Sequence, residues 1–278
     1  MTRHTQLKLL FDENHIEYTE NIAYCNIVCD FRVDNTYILI AIASLYNMYF
    51  VPLSHPICRN YFKNLQNEFS NNNTTLIVIW DWDELDKVLH IFTHKKRVRA
   101  STCLVKEISV QEAAEFLNNY HFQKSCRGQS VCLGLFNQNV LLQVMTFGKP
   151  RYNRNYEYEL LRLCTRNDIV VYGGSNKLFQ YFCAHYQPGS VISYCDCSKF
   201  NGSVYQHLHF VRRPATPSIH WVRIDPFTHI TDNMLRYKGA DKLIGTTFGK
   251  GTSNVDIMKG AGFLPVPDCG QDTYVYIR

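Results

Sequence analysis

Two glycines before a helix-forming segment are the clearest chemical signal in the sequence. Gly173, Gly174 and Ser175 follow the apolar run 169–172 and precede an amphipathic segment that includes Lys177. Glycine lets the backbone turn sharply and approach a ligand closely, and a helix N-terminus offers unpaired N–H groups to an anion. The positive charge of Lys177 would strengthen such a site. The segment therefore predicts an anion-binding loop, with an ordinary tight turn between strand and helix as the alternative.

Side chains suited to proton transfer occur in two other segments. Asp196 ends a predicted strand, at the sheet edge where α/β folds place ligands, and Tyr205 lies in the next predicted helix. A carboxylate and a phenol at that edge suit general acid–base chemistry. Tyr120 and His121 end an earlier predicted helix, and histidine is the usual base near neutral pH. The alternatives are a capping aspartate, a packed Tyr205 and a structural histidine.

Two short segments are rich in positive charge. One is 94–99, and the other contains Lys149, Arg151 and Arg154, with a tyrosine between the arginines. Segments of this kind either contact phosphates or form solvated faces. The net charge of +5 over 278 residues permits a nucleic-acid partner but excludes the strongly basic composition of a dedicated DNA-binding module.

The composition indicates a globular protein of a reducing compartment. Apolar residues make up 46% of the chain and charged residues 19%, which supplies a core and excludes a disordered protein. The 11 cysteines include no Cys-x-x-Cys pair, so we expect free thiols, and their spacing does not indicate a zinc site. With neither a signal segment nor a long apolar run, the sequence predicts a cytoplasmic protein without a membrane partner.

Hydrophobic periodicity predicts an α/β (α+β) protein of two domains. Residues 1–95 read as α-β-β-α-β-α, with strands at 22–31 and 37–45 forming a hairpin. The basic stretch 95–101 is expected to be weakly structured, which divides the chain into domains 1–98 and 99–278.

Several elements of the second domain have local signals. Ser109 is the expected N-cap of a helix over 110–120, and a hairpin is expected around 137–139. Residues 157–165 fit a strand or a helix. A short helix over 255–259 is expected to end at Gly260.

The C-terminal part resembles the GNAT acyltransferase fold, and within it the Mom-like branch of phage proteins that modify adenine in DNA. The blocks that carry the resemblance keep their order: NYH at 119–121, MTFGKPR at 145–151, YELLR at 158–162, GGSNKLF at 173–179 and ISYCD at 192–196, followed by Gly202 and Tyr205. One departure is His209-Phe210, where the family usually has Gly-Phe. The resemblance implies a GNAT-like mixed sheet flanked by helices.

The resemblance also implies roles for individual residues. Gly173, Gly174 and Ser175 would hold the pyrophosphate of an acyl-CoA or a similar activated donor, and Tyr205 would protonate the leaving group. The positions that match functional residues of Mom-like enzymes are Tyr120, His121 and Asp196. DNA would be the partner, contacted by Lys149, Arg151 and Arg154, and a viral protein would work in the cytoplasm of its host cell.

The N-terminal part resembles a small restriction-endonuclease-like domain of the PD-(D/E)XK or Vsr-like type, as in phage homing-endonuclease-like proteins. Asp30 matches the first carboxylate of the Mg²⁺ site of that fold. The strand that should supply a second carboxylate has Ala41, Ala43 and Ser44 instead, and Tyr61-Phe62 replaces the expected Tyr-His. Loss of that carboxylate removes much of the charge that holds Mg²⁺. The domain is therefore interpreted as a degenerate nuclease, kept for DNA binding or packing.

Three functions follow from these resemblances. The first is transfer of a small group to a nucleobase, adenine in particular, in DNA. The second is a homing-type or Vsr-like endonuclease, which would use Mg²⁺ and further carboxylates such as Asp81 or Asp83. The third is a non-enzymatic DNA-binding or inhibitor protein.

Overall fold

A computed structural model of the protein describes residues 1–41, 59–214, 216–245 and 251–278. Ala43 and Ser44, two of the positions that replace the expected second carboxylate, lie outside these ranges. In chain order, the helices are α1 Arg3–Glu13, α2 Tyr61–Asn71, α3 Leu85–Leu89, α4 Val110–Tyr120, α5 Gly174–Tyr186, α6 Ser203–His207, α7 Asp232–Lys238, α8 Ala240–Ile244 and α9 Asn254–Gly260. The strands are β1 Thr19–Tyr24, β2 Ile27–Val33, β3 Thr36–Ala41, β4 Thr75–Trp80, β5 Lys96–Arg99, β6 Leu104–Glu107, β7 Gln129–Asn137, β8 Val140–Gly148, β9 Tyr158–Thr165, β10 Ile169–Tyr172, β11 Ser190–Asp196, β12 Val211–Arg213, β13 Ile219–Arg223, β14 Thr228–Thr231, β15 Leu264–Pro267 and β16 Gln271–Ile277.

The first 92 residues contain a four-stranded sheet in the order β1-β2-β3-β4, with β3 and β4 parallel and the other pairs antiparallel. β4 is apolar along its length because both of its faces are covered. Ile77 and Ile79 pack with α1 and α3, whereas Val78 and Trp80 pack with α2. The single strand expected over 22–31 is two strands, because the chain turns at residues 25 and 26, both with positive φ.

The basic stretch that joins the two halves of the chain is ordered. β5 pairs in parallel with β10, so Lys96 lies opposite Ile169 and Arg99 opposite Tyr172. The expectation of a weakly structured linker was therefore wrong, because a strand with exposed charged side chains has little hydrophobic pattern to reveal it. The division of the chain at residue 98 stays a prediction, and β5 links its two sides.

A seven-stranded mixed sheet forms most of the second half, in the order β12-β16-β11-β9-β8-β7-β6. α4 packs on one face through Phe116 and Leu117, and α5 packs on the other through Phe179 and Phe182. Residues 158–165, which fitted either element, form the central strand β9. The mixed α/β fold class, with helices on both faces of the sheet, is confirmed.

The neighbouring strands β9 and β11 part soon after they begin. They are parallel, and their register contains two pairs, Tyr158 with Val191 and Glu159 with Ile192. At the next position the hydrogen-bond donor between the strands is a side chain and not a backbone N–H: Oγ of Ser193 donates to the carbonyl oxygen of Leu160 at 2.9 Å. A register shift against β8 leaves Leu161 as an extra residue in β9. The two strands therefore diverge and leave an opening in the sheet.

A smaller layer of structure was anticipated only in part, through the helix expected over 255–259. β14, β13 and β15 form a three-stranded antiparallel sheet, which packs with α7, α8 and α9 around Trp221, Met258 and Phe263. Gly260 was expected to cap α9 but is its last residue, and Gly262 has the positive φ of 79°. No helix in the described ranges is long and apolar enough to cross a membrane.

The end of α6 explains the departure at His209-Phe210. The N–H of Phe210 donates to the carbonyl of Tyr205 at 2.9 Å, and the N–H of His209 donates to that of Gln206 at 3.0 Å. These two bonds form a Schellman motif, which requires a left-handed residue after the helix. His209 takes that conformation with a φ of 63°. The helix ends as it would with glycine, and histidine adds backbone strain.

We predict that His209→Gly raises the free energy of unfolding by about 1 kcal/mol, because it removes the left-handed strain of a residue with a Cβ atom. Urea unfolding monitored by circular dichroism measures the change. Gln206→Gly, in the same helix, is the matched control and should destabilise by about 1 kcal/mol. An unchanged or lower stability of His209→Gly would contradict this account.

Candidate active site

A cavity of about 420 Å³ opens where β9 and β11 diverge. Its walls come from β9, the end of β11, α6, the end of α4, the start of α5 and the segment 87–95 of the N-terminal half. The residues expected from the sequence that line it are Tyr120, His121, Ser175, Asp196 and Tyr205. The fold thus brings together three segments that are far apart in the chain.

The two glycines shape the start of α5. Gly173 is the N-cap and has a φ of 77°, a conformation that side chains disfavour. A Cβ atom on Gly174 would clash with Oε1 of Gln143 and lie 3.0 Å from Cγ1 of Val171. The glycines therefore allow the helix to begin close to β8, and Ser175 is the residue of this loop that lines the cavity.

Lys177 does not point its charge into the cavity. Its ammonium group donates to the carbonyl oxygens of Ala100 at 2.9 Å and Cys103 at 2.5 Å. It therefore anchors the turn before β6, and the expectation that Lys177 adds a free charge to an anion site was wrong. Sequence alone could not reveal these carbonyls, which lie more than 70 residues away in the chain.

His121 is held as a neutral hydrogen-bond donor. Its Nδ1 accepts from the N–H of Gln123 at 3.0 Å, which leaves the proton on Nε2. Burial, together with the positive charges of Arg162 and Lys87, lowers the pKa of His121 to about 3. The histidine expected to act as a base near neutral pH is therefore a poor base in this position and instead offers an Nε2–H.

Tyr205 is buried against the opening in the sheet. Its hydroxyl lies 3.1 Å from Oγ of Ser193, the group that bridges the parted strands, and its ring stacks on Tyr274 at a centroid distance of 4.6 Å. Burial raises the pKa of the Tyr205 hydroxyl. The phenol therefore stays protonated at neutral pH, and its hydroxyl shares a hydrogen bond with Ser193 beside the cavity that Tyr205 lines.

Asp196 has one carboxylate oxygen engaged. Oδ1 accepts from the backbone N–H of Ser198 at 2.9 Å and from its hydroxyl at 2.6 Å. The contact closes the turn after β11 and is not the helix cap that the sequence left as an alternative, since the N-cap of α6 is Gly202. Within the described residues, Oδ2 has no hydrogen-bond partner, and Asp196 lines the cavity. The side chain can thus hold the loop and still accept a proton or a hydrogen bond.

A second cavity of about 250 Å³ adjoins the first. The two share lining residues, among them Leu161, Arg162, Tyr194 and Asp196. Arg162 donates from Nε to the carbonyl of Lys124 at 2.9 Å and from Nη1 to that of Leu161 at 2.8 Å. Arg162 had no role assigned from the sequence, and only its burial at the parting of the strands draws attention to it.

The basic loop 149–154 reaches the rim of this second cavity through Arg151 and Tyr152. Arg151 is not free, however, because its Nε and Nη2 donate to the buried carboxylate of Glu159 at 2.9 and 2.5 Å. The expectation of Arg151 as a free DNA contact is therefore corrected to a structural ion pair. Lys149 and Arg154 are exposed, and the described residues form no ion pair with either.

The carboxylates considered for a nuclease are engaged in structural contacts. Oδ2 of Asp30 accepts from the N–H of Ile40 at 2.7 Å. Asp83 forms a buried ion pair with Lys199 at 2.7 Å and accepts from the N–H of Trp80. In the described ranges, no group of three or more His, Cys, Asp or Glu side chains is placed to hold a metal ion. Among the described residues, neither Asp30 nor Asp83 has the neighbouring ligands that a metal site needs.

Comparisons with known proteins return acetyltransferases. An N-acetyltransferase from Staphylococcus aureus Mu50 aligns with 63% of this chain and 98% of its own, at 8% identity and a TM-score of 0.37. A putative acetyltransferase from Salmonella typhimurium, in a structure with its cofactor acetyl-CoA, aligns with 63% of this chain and 94% of its own, at 10% identity and a TM-score of 0.36. No protein-family model matches the sequence, and no curated protein matches it. Likeness at this level does not establish a family or an activity.

We predict that Gly174→Ala destabilises the protein by about 1–3 kcal/mol, because its Cβ atom would overpack the start of α5 against Gln143 and Val171. Urea unfolding gives the change. Gly260→Ala is the matched control, since nothing lies near its Cβ position in α9, and it should stabilise by about 0.5–1 kcal/mol. Equal stability of Gly174→Ala and the wild type would contradict the close approach.

Acid should destabilise the protein through two half-buried histidines. The pKa is lowered to about 3 for His121 and to about 4 for His229, chiefly by burial. In the unfolded chain a histidine titrates near pH 6.5, so the unfolded state binds protons that the folded state rejects as the pH falls from about 6.5 to about 4. Stability is therefore complete above this window and falls as the pH decreases through it.

The urea midpoint at pH 7, 5.5 and 4.5 measures this effect. We expect the wild-type midpoint to fall toward pH 4.5, and His121→Gln or His229→Gln to reduce the slope. His94→Gln, at an exposed position, serves as the control and should keep the wild-type slope. If the urea midpoints of His121→Gln and His229→Gln depend on pH as steeply as that of the wild type, other groups cause the acid sensitivity.

Proposed function

We propose that the protein transfers an acyl group from a CoA-type thioester to an amine nitrogen, in the cavity between β9 and β11. The observation that carries this proposal is the convergence of the α5 N-terminus, Asp196, Tyr205 and His121 on one cavity at the point where two parallel strands part. The start of α5 offers donors to phosphate, and the other three side chains surround the space where a thioester would react.

Cationic side chains favour an anionic donor. Lys87, Lys95 and Arg162 line the cavity, against one carboxylate, Asp196, among the described lining residues. Burial lowers the pKa of Lys95, which has no ion pair with any described residue. Lys95 and the free N–H groups of the first turn of α5 would hold the phosphates of the donor.

The chain's own residues supply the proton handling. The amine lone pair attacks the thioester carbonyl carbon, and Nε2–H of His121 donates to the carbonyl oxygen as negative charge develops there. The amine proton passes to Oδ2 of Asp196, and the C–S bond breaks. Tyr205 exchanges its contact with Ser193 for a hydrogen bond to the departing thiolate, which is a good leaving group because thiols have pKa values of only about 8.5. Amide and thiolate leave, and Asp196 releases the proton to water.

The second cavity suits the acceptor, which we propose is a nucleobase, adenine in particular, in DNA. Tyr152 and Tyr194 line it beside Asn233, and these groups suit a planar polar ring. The exposed Lys149 and Arg154 flank Arg151 on the loop at its rim, where they would contact phosphates. A base turned out of the duplex would then present its exocyclic amine through the opening toward the donor.

Transfer is tested with purified protein, acetyl-CoA and DNA, followed by digestion to nucleosides and mass spectrometry. We expect an adenine nucleoside of increased mass, and a decrease of kcat by about 10²-fold in Tyr205→Phe with little change in KM. Lys149→Ala and Arg154→Ala should weaken DNA binding without loss of stability. Tyr237→Phe, at an exposed position, is the matched control for the tyrosine.

Two outcomes separate the parts of the proposal. If DNA yields no modified nucleoside but another amine supports the release of CoA, DNA is rejected as the acceptor and the transferase proposal is kept. If neither CoA release nor binding of any CoA thioester is detected under conditions where the protein is folded, the transferase proposal is rejected.

A further inference from the structure

Arg162 is a largely buried cation without a counter-ion. In the described part of the chain, no carboxylate lies within ion-pair distance of its guanidinium group, which is held by the carbonyls of Lys124 and Leu161. Burying a charge without an opposite charge is costly in proteins. Arg151 on the same wall shows the usual solution, since it pairs with Glu159. The position of Arg162 therefore suits an anion that arrives with a ligand.

The surroundings of Arg162 indicate where that anion lies. Arg162, His121 and Tyr205 line the same cavity, the larger of the two. His121 and Tyr205 line the larger cavity and not the smaller one. Arg162 also lines the smaller cavity, but that cavity already contains the carboxylate of Glu159. We therefore assign the anion to the ligand of the larger cavity, close to the side chains that would surround the reacting thioester. Its phosphates would lie elsewhere, at Lys95 and the start of α5.

From this geometry we infer that the acyl group itself carries a carboxylate, which Arg162 binds, so that the preferred donor is the CoA thioester of a dicarboxylic acid. A guanidinium group with Nε and Nη1 already engaged can still donate from Nη2 to one carboxylate oxygen. An acetyl group would leave this donor without a partner. The inference rests on the thioester donor proposed above and is independent of the acceptor.

Binding to the full-length protein tests the inference, with free CoA, acetyl-CoA, malonyl-CoA and succinyl-CoA compared by isothermal titration calorimetry. We expect malonyl-CoA or succinyl-CoA to bind about ten-fold more tightly than acetyl-CoA, since a charge-assisted hydrogen bond is gained. Arg162→Gln should abolish the preference, and Arg162→Lys should retain part of it. Arg166→Gln is the matched control, because Arg166 pairs with Asp168 outside the cavity.

The stability of the unliganded variants guards against a folding defect. Since Arg162 lacks a counter-ion, Arg162→Gln should have a melting temperature close to that of the wild type; if it unfolds, the preference is measured in Arg162→Lys and must be reduced there.

Three results would overturn the inference. Equal affinity for acetyl-CoA and the dicarboxylic thioesters overturns it but leaves the transferase proposal intact. Binding of free succinate that depends on Arg162, without a preference among thioesters, would place the carboxylate on the acceptor instead. Failure of every CoA compound to bind would reject both the inference and the proposed donor.

Discussion

The parting of β9 and β11 is the constraint on which the site depends. Two adjacent parallel strands normally continue their ladder, and separating them exposes backbone groups that need new partners. Ser193 supplies one such partner, and the extra residue at Leu161 turns β9 away from its neighbour. Tyr205 then packs beside Ser193 at the opening. The cavity is thus a consequence of how the sheet satisfies its own hydrogen bonds.

Charges buried around the opening fall into two kinds. Glu159 is the last residue of β9 that pairs with β11. It is neutralised by Arg151 and stabilises the loop that bears the exposed Lys149 and Arg154. Arg162, three residues further along the same strand, has only carbonyl partners among the described residues. The first charge is satisfied within the fold, and the second is available to a ligand. This difference separates a charge that is neutralised within the fold from one that we propose binds a ligand.

The N-terminal half contributes to the cavity as well as to its own core. The Nζ of Lys87 donates to the carbonyl of His121 at 2.7 Å, and Lys95 lines the cavity. Lys199, from the loop after β11, is buried against Val78 of β4 and pairs with Asp83 in the turn after that strand. Through these contacts the N-terminal half positions His121 and adds positive charge to the cavity. Its structural role is therefore independent of any nuclease chemistry.

The sequence by itself determined the elements whose signals are local. Ser109 caps α4, residues 138 and 139 turn the hairpin between β7 and β8, and Gly173 begins α5, because caps, turns and glycines act over a few residues. Together with the order of its motifs, it also selected five side chains that meet at one cavity. A resemblance between motifs indicates which residues meet, but not how each is bonded.

Only the tertiary structure decided the bonding and the charge states. Lys177 and Arg151 were expected to contact ligands. Lys177 is instead held by carbonyl groups distant in the chain, and Arg151 by a buried carboxylate. His121 is neutral because it is largely shielded from solvent and lies near two cations. Arg162 is of interest because no described carboxylate forms an ion pair with it. The physical reason is that burial, pKa and ion pairing depend on non-local contacts, which a periodic pattern of residues along the chain does not encode.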